Sequence, residues 1–351
     1  MLTTTQTFIP VDGKSFDAVR SLCWQGDQLM DWTTGLSYGQ EGPLPSRKIA
    51  YGYRFNSAIA SVSGRYTVLY ERCGTKALLL DEGRVLRELN RSYYCAEVYE
   101  YPVQFGMLPD GIEILLHCPK DYNRLQIEEV ATGHCLTERP AEPAIDFFHS
   151  RLAFNPSGTR ILNAGWVWHP VDDLRVYQTA EVLANPSLLD GRGDLDLWSS
   201  GILYGWEGEV VGILSAAFCG DDQLLLTTAP EIPGVDPEEE RPSEAPTLIP
   251  GALARYDFNT RTFLSVVQTE EVVGTLYAVG TEYALGLYDH PKLIHIDSGR
   301  VVHRWADLST GNQSSSILHN LPLPPFAWDA KRHRFAVADE NGITTVHIEG
   351  V

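Results

Sequence analysis

One unit recurs along this chain of 351 residues, and it limits the fold more than any other feature. A short apolar stretch leads into a turn of Gly and small polar residues, and a second, strongly apolar stretch follows. The turn reads Gln25-Gly-Asp-Gln-Leu-Met30, Ser63-Gly-Arg-Tyr-Thr-Val68, Pro109-Asp-Gly-Ile-Glu-Ile-Leu115 and Pro156-Ser-Gly-Thr-Arg-Ile-Leu162. It continues as Gly220-Asp-Asp-Gln-Leu-Leu225, Gly280-Thr-Glu-Tyr-Ala-Leu285 and Ala330-Lys-Arg-His-Arg-Phe335. The turn glycines from Gly26 to Gly280 stand 38, 47, 47, 62 and 60 residues apart. A second turn reinforces the rhythm: Glu82-Gly-Arg-Val-Leu86, Thr132-Gly-His-Cys-Leu136, Asn259-Thr-Arg-Thr-Phe263 and Ser298-Gly-Arg-Val-Val302. Each follows an alternating run such as Ala77-Leu-Leu-Leu80 or Lys292-Leu-Ile-His-Ile296. Gly at such turns supplies the positive φ that a tight hairpin needs. No helical segment of the length a parallel crossover requires separates the strands, which argues against an α/β fold.

Seven copies at roughly 40 to 50 residues per four-stranded unit predict an all-β, seven-bladed β-propeller in a single domain, 1–351. Blade one is expected over about 18–54, two over 55–92, three over 98–140 and four over 146–205. Blades five, six and seven follow over 206–270, 273–308 and 323–351. Blade seven runs out of chain after Ile343-Thr-Thr-Val-His-Ile348. It would leave an unpaired edge unless another segment fills it. Gln6-Thr-Phe-Ile-Pro-Val11 precedes blade one and is predicted to supply that strand and close the ring. The pattern resembles the WD40 and related repeat propellers over nearly the whole chain, in architecture only. The Gly-His and Trp-Asp dipeptides of a WD40 repeat are absent at the matching places. Asp31-Trp32 is reversed, and Asp329 merely follows Trp328.

Charge narrows the partners. The formal net charge is −19, and no run of Lys or Arg interrupts it. Phosphate-backbone binding needs a clustered basic surface, so neither nucleic acid nor an anionic membrane is an expected partner. The amino terminus has no basic region followed by an apolar one, and no apolar stretch is long enough for a membrane helix, so a soluble cytoplasmic protein is expected. Six cysteines (Cys23, Cys73, Cys95, Cys118, Cys135 and Cys219) lack paired ligand spacing and read as free thiols. Catalytic fingerprints are missing: no G-x-S-x-G, P-loop, dinucleotide turn or H-E-x-x-H occurs. No catalytic residue, cofactor or metal is assigned.

Two insertions break the rhythm. Blade five carries an acidic Pro/Glu segment over about 231–250, read as a solvated loop, and Thr179–Ala184 in blade four reads as one or two helical turns stopped by Asn185-Pro186. Loops joining second to third strands, and one blade to the next, share one rim of a propeller with the mouth of its channel. That rim gathers His117-Cys-Pro-Lys-Asp-Tyr122, Trp166-Val-Trp-His-Pro-Val-Asp-Asp173 and Tyr288-Asp-His-Pro-Lys292. The inter-blade loops Tyr93 to Tyr101 and Ser309 to Ser316 join them. Aromatic side chains there bury much area at low entropic cost, as binding anchors do. The candidate binding residues are therefore Tyr122, Trp166, Trp168, His169, Asp172, Asp173, Asp289 and His290. The expected function is a non-enzymatic scaffold that binds a protein or peptide through this rim. The alternative is metal-assisted hydrolysis of a small molecule, which requires His169, Asp172, Asp289 and His290 to converge.

Overall fold

The computed structural model describes residues 2–11, 19–39, 42–45, 51–140, 144–168, 171–191, 193–196, 213–230, 248–318 and 323–351. The acidic segment 231–247 and His169 lie outside them. After β1 (Thr3–Pro10), blade one comprises β2 (Leu22–Gln25), β3 (Gln28–Asp31), β4 (Leu36–Gly39) and β5 (Gly42–Pro45). Blade two comprises β6 (Ser57–Ala60), β7 (Tyr66–Tyr70), β8 (Lys76–Asp81) and β9 (Arg84–Asn90). Blade three has β10 (Val103–Met107), β11 (Glu113–His117) and β12 (Gln126–Glu129). Blade four has β13 (Leu152–Phe154), β14 (Arg160–Val167) and β15 (Val171–Gln178), then α1 (Thr179–Ala184) and β16 (Leu195–Asp196). Blade five is β17 (Ile213–Phe218), β18 (Gln223–Thr228), β19 (Ala252–Asp257) and β20 (Thr262–Gln268). Blade six is β21 (Leu276–Val279), β22 (Tyr283–Gly286), β23 (Lys292–His295) and β24 (Val301–Arg304). β25 (Phe326–Asp329), β26 (Arg334–Ala338) and β27 (Gly342–Glu349) form blade seven, and β1 is its fourth strand.

These seven antiparallel sheets stand in a ring, a seven-bladed β-propeller. β1 pairs with β27 over its whole length, from Thr3 opposite Glu349 to Pro10 opposite Gly342, so the first strand closes the circle. The turns between first and second strands behave as their composition predicts. Gly26, Gly64, Gly111, Gly158, Gly220 and Gly280 all have φ between 58° and 86°. In the seventh copy, which lacks a glycine, His333 takes the left-handed conformation instead, with φ 47°.

Strand alternation explains why the core is divided. Each blade is apolar on both faces near the axis, so apolar side chains meet those of the next blade rather than a second layer. Val68, Leu79 and Leu89 of blade two meet Tyr101, Phe105 and Leu115 of blade three. Leu162, Leu174 and Val176 of blade four meet Leu224, Leu226 and Tyr256 of blade five. Every other pair of neighbouring blades shares such a cluster, including blades seven and one, where Ile9 of β1 packs with Leu22, Leu29 and Ile343.

Blade three departs from the four-stranded expectation. Its outer segment forms no fourth strand; it meets β12 at an isolated bridge, Glu128 with Cys135, flanked by the hydrogen bonds Glu129 N–H to His134 O and Leu136 N–H to Ile127 O. The insertion of blade four completes the cover. α1 forms where predicted, and a 3-10 helix, Pro186–Asp190, follows it. Val182 and Leu189 of this insertion are buried against Ile114, Leu116 and Ile127 of blade three. Arg139 clamps it with two hydrogen bonds to the Asp190 carboxylate, both 2.6 Å. All six cysteines are free; burial pushes the Cys23 thiol up to about 12 and the Cys73 thiol to about 11. Among the described residues, no helix is long and apolar enough to cross a membrane.

Candidate functional site

Three chain segments build an aromatic cluster on the rim between blades three and four. The loop 91–101 before blade three brings Tyr94 and Tyr99, the turn after β11 brings Tyr122, and blade four brings Phe148, Trp166 and Trp168. Phe148 and Trp166 stack almost parallel, centroids 3.8 Å apart and planes at 8°. Tyr122 stacks on Phe148 at 4.5 Å, and Tyr99 closes the inner side edge-on to both Phe148 (5.6 Å) and Trp166 (6.3 Å). Gly165 makes the stack possible. A β-carbon there would sit 1.9 Å from the carbonyl oxygen of Phe148, so only a bare backbone lets the two segments bridge.

The inner members are buried, and the outer ones are not. Trp166 is 2% exposed, whereas Trp168 and Tyr94 are each 42% exposed and Tyr93 85%. Trp168 stands edge-on to Phe148 at 5.4 Å and to Trp166 at 5.2 Å, and Tyr94 lies 5.0 Å from Tyr122 and 6.3 Å from Trp168. The result is a platform of exposed rings resting on a packed aromatic base. Tyr122 donates its hydroxyl to Asp146 at 2.7 Å. Burial, together with that carboxylate, pushes the Tyr122 phenol well above its ordinary range, which keeps it neutral.

Arg91 fixes the loop that carries Tyr93 and Tyr94. Its guanidinium is buried and donates to the carbonyls of Gly74 (2.7 Å), Ala96 (2.6 Å), Tyr99 (2.9 Å) and Glu100 (3.1 Å). It also lies over the rings of Tyr99 and Tyr101. Its fork of donors thus replaces water for a whole turn of backbone.

Asp172 and Asp173 sit in β15 on opposite faces of the strand, and both are buried, at 6% and 1% exposure. Asp172 is the anchor of a strap. The connection from β24 to β25 passes the β22–β23 turn of blade six, where the Asp289 N–H donates to the Gly311 carbonyl at 2.7 Å. It reaches blade four, where Ser315 Oγ (2.6 Å) and the Ser316 N–H (2.7 Å) donate to Asp172. The Ser316 hydroxyl also donates to Asp172 and lies 3.1 Å from the Gly165 carbonyl. The strap then bridges to the loop before blade three, Ile317 with Tyr99, and Leu318 N–H donates to Val98 at 2.6 Å. Burial pushes the Asp172 carboxyl upward, against Arg151 at 3.5 Å and the two serines, which favour its charged form. Asp173 lies 3.8 Å from Arg175, whose guanidinium covers the ring of Phe147.

Asp289 and His290 occupy blade six, away from the aromatic cluster. Asp289 takes a left-handed backbone, φ 67°, and its side chain is 70% exposed. His290 lies 3.3 Å from Asp289 and 3.7 Å from Glu271, whose carboxylate also pairs with the buried Lys292 at 2.8 Å. The structure thus brings Tyr122, Trp166 and Trp168 together, gives Asp172 and Asp173 to the scaffold, and leaves Asp289 and His290 as a separate ionic group. Among the described residues, no three His, Cys, Asp or Glu side chains are grouped as a metal ion requires.

Sequence reasoning placed the loop Tyr93 to Tyr101 on the rim without singling out Tyr94, and missed Phe148, Arg91 and Asp146. It also missed a mixed group in the interior of the ring: Arg72, 3.6 Å from Glu100, with Tyr70 and Tyr277 near enough to feel that carboxylate. Burial first, then Glu100, pushes the Tyr277 phenol up to about 12. Tyr70 and Arg72 come from blade two, Tyr277 from blade six and Glu100 from an inter-blade loop, so no local pattern marks the group. Comparison with known proteins found no matching family and no curated protein of similar sequence.

Proposed function

We propose that this propeller is a non-enzymatic, cytoplasmic interaction scaffold that holds a protein or peptide partner on the rim of blades three and four. One observation carries the reading: Tyr93, Tyr94 and Trp168 stand exposed on a base that is otherwise packed. Contact residues of this kind contribute most when their rings are held rigid before binding. Arg91, the Phe148–Trp166 stack and the strap on Asp172 provide that rigidity. Loops on a fixed ring commonly carry such functions, and the WD40-like architecture fits a scaffold, although fold alone assigns none.

The test is capture of a stoichiometric partner by the full chain from cell extract. Replacing Trp168→Ala and Tyr94→Ala together is expected to weaken capture by roughly 30-fold, the scale of losing a central aromatic contact. Val302→Ser, on the exposed edge of blade six, is expected to leave it intact. Unchanged capture by the double variant rejects this rim.

A further inference from the structure

Resting on that docking reading, we infer that the occupant is a basic segment of a partner protein, with an arginine side chain laid across Tyr94 and Trp168. The exposed charges around the platform are mainly acidic, the Arg91 guanidinium being buried beneath it on backbone carbonyls. Described residues 92–101, 118–123, 144–148 and 166–168 carry Glu97, Glu100, Asp121 and Asp146 against the single base Lys120. Glu100 is engaged with Arg72, which leaves Glu97, Asp121 and Asp146 as the exposed acids of these segments. The strap over 309–318 adds no charge. Asp146 is held at the edge of the stack by the Tyr122 hydroxyl, and Tyr122 in turn lies 5.0 Å from Tyr94.

Ring faces are electron-rich and attract a cation placed over them, and a carboxylate at the ring edge adds to that attraction. Arginine suits both parts. Its planar guanidinium stacks on an aromatic face while its N–H groups remain free to donate to a carboxylate, a geometry an ammonium cannot copy. At long range the formal charge of −19 draws a basic segment toward the ring and repels an acidic one.

The experiment uses the full chain and three labelled 12-residue Gly/Ser peptides containing three Arg, three Lys or three Asp, followed by fluorescence anisotropy. The Arg peptide is expected to bind, the Lys peptide several-fold more weakly, and the Asp peptide not at all. Asp146→Asn and Glu97→Gln are each expected to weaken Arg-peptide binding about two- to fivefold, and Tyr94→Ala with Trp168→Ala by about tenfold or more. Glu340→Gln, an exposed acid on blade seven, is expected to change nothing. Equal binding of the Asp peptide overturns the inference, as does Arg-peptide binding that ignores the aromatic double variant. If the double variant loses its captured partner while the Arg peptide fails to bind, the rim is a docking surface for something other than a basic segment. If capture survives the double variant, the docking reading itself falls.

Discussion

At the scale of single residues, burial decides which polar groups keep their ordinary chemistry. His149 is 1% exposed in blade four, with Nδ1 against the amide of Asn163 at 2.5 Å. Burial lowers its pKa to about 3, so the folded chain keeps the ring neutral. An unfolded chain takes up the proton near pH 6.5. Between about 6.5 and 3 the unfolded state therefore binds more protons, and stability falls as pH falls. Denaturant unfolding is expected to show a loss of up to about 2 kcal/mol between pH 6.5 and pH 5 from this group. His149→Gln should flatten that part of the profile, whatever it does to stability at pH 7. An unaltered slope would mean that other groups carry the acid sensitivity. Arg91 illustrates the opposite case. Four carbonyls surround its guanidinium, so burial lowers its pKa without removing its charge.

At the scale of elements, the strap is the least regular segment and among the most tightly held. Three hydrogen bonds converge on Asp172 from Ser315 and Ser316, and backbone pairing with Val98 and Tyr99 continues them. Bonds to a charged acceptor contribute about 1.5–3 kcal/mol each. Ser316→Ala is expected to cost that much, and to speed hydrogen exchange of the Ser316 and Leu318 amides while β27 stays protected. Uniform exchange across the ring would show that the strap has no separate stability. The sequence made the strands legible and the strap's role illegible, for one physical reason. A turn glycine such as Gly64 states its requirement locally, through a φ that other residues resist. The tripeptide Ser314-Ser-Ser316 states nothing until the fold sets Asp172, distant in sequence, beside it. The aromatic site is similar. Trp166 and Trp168 stand out in the sequence, but their different burial depends on the Phe148–Trp166 stack that Gly165 permits, which no spacing predicts. Asp31-Trp32, read as a reversed repeat dipeptide, proves structural. Asp31 accepts from Ser21 Oγ at 2.7 Å and from the Thr33 N–H at 3.0 Å, and Trp32 is buried.

At the scale of the whole molecule, stability depends on closure. Seven inter-blade clusters share the core, and the one between blades seven and one includes Ile9 and Val11 from the first strand region. Deleting residues 2–10 removes Ile9 and bares the edge of β27. The expected result is a melting temperature lower by roughly 10 °C or more, since each kcal/mol moves a domain of 150–250 residues by about 2–4 °C. A peptide of residues 3–10 added in trans should recover part of the loss. A chain that melts as before would mean that the ring holds without its final pairing.

Ring closure also sets direction. Thr3 and Glu349 are partners on blade seven, so both described ends of the chain leave from one sector of the circle. Counting either way round, blades three and four lie farthest from that sector. A ligand seated at Tyr94 and a cargo tethered to either end would therefore sit on opposite flanks of a stiff disc, too far apart to crowd each other and unable to swing together.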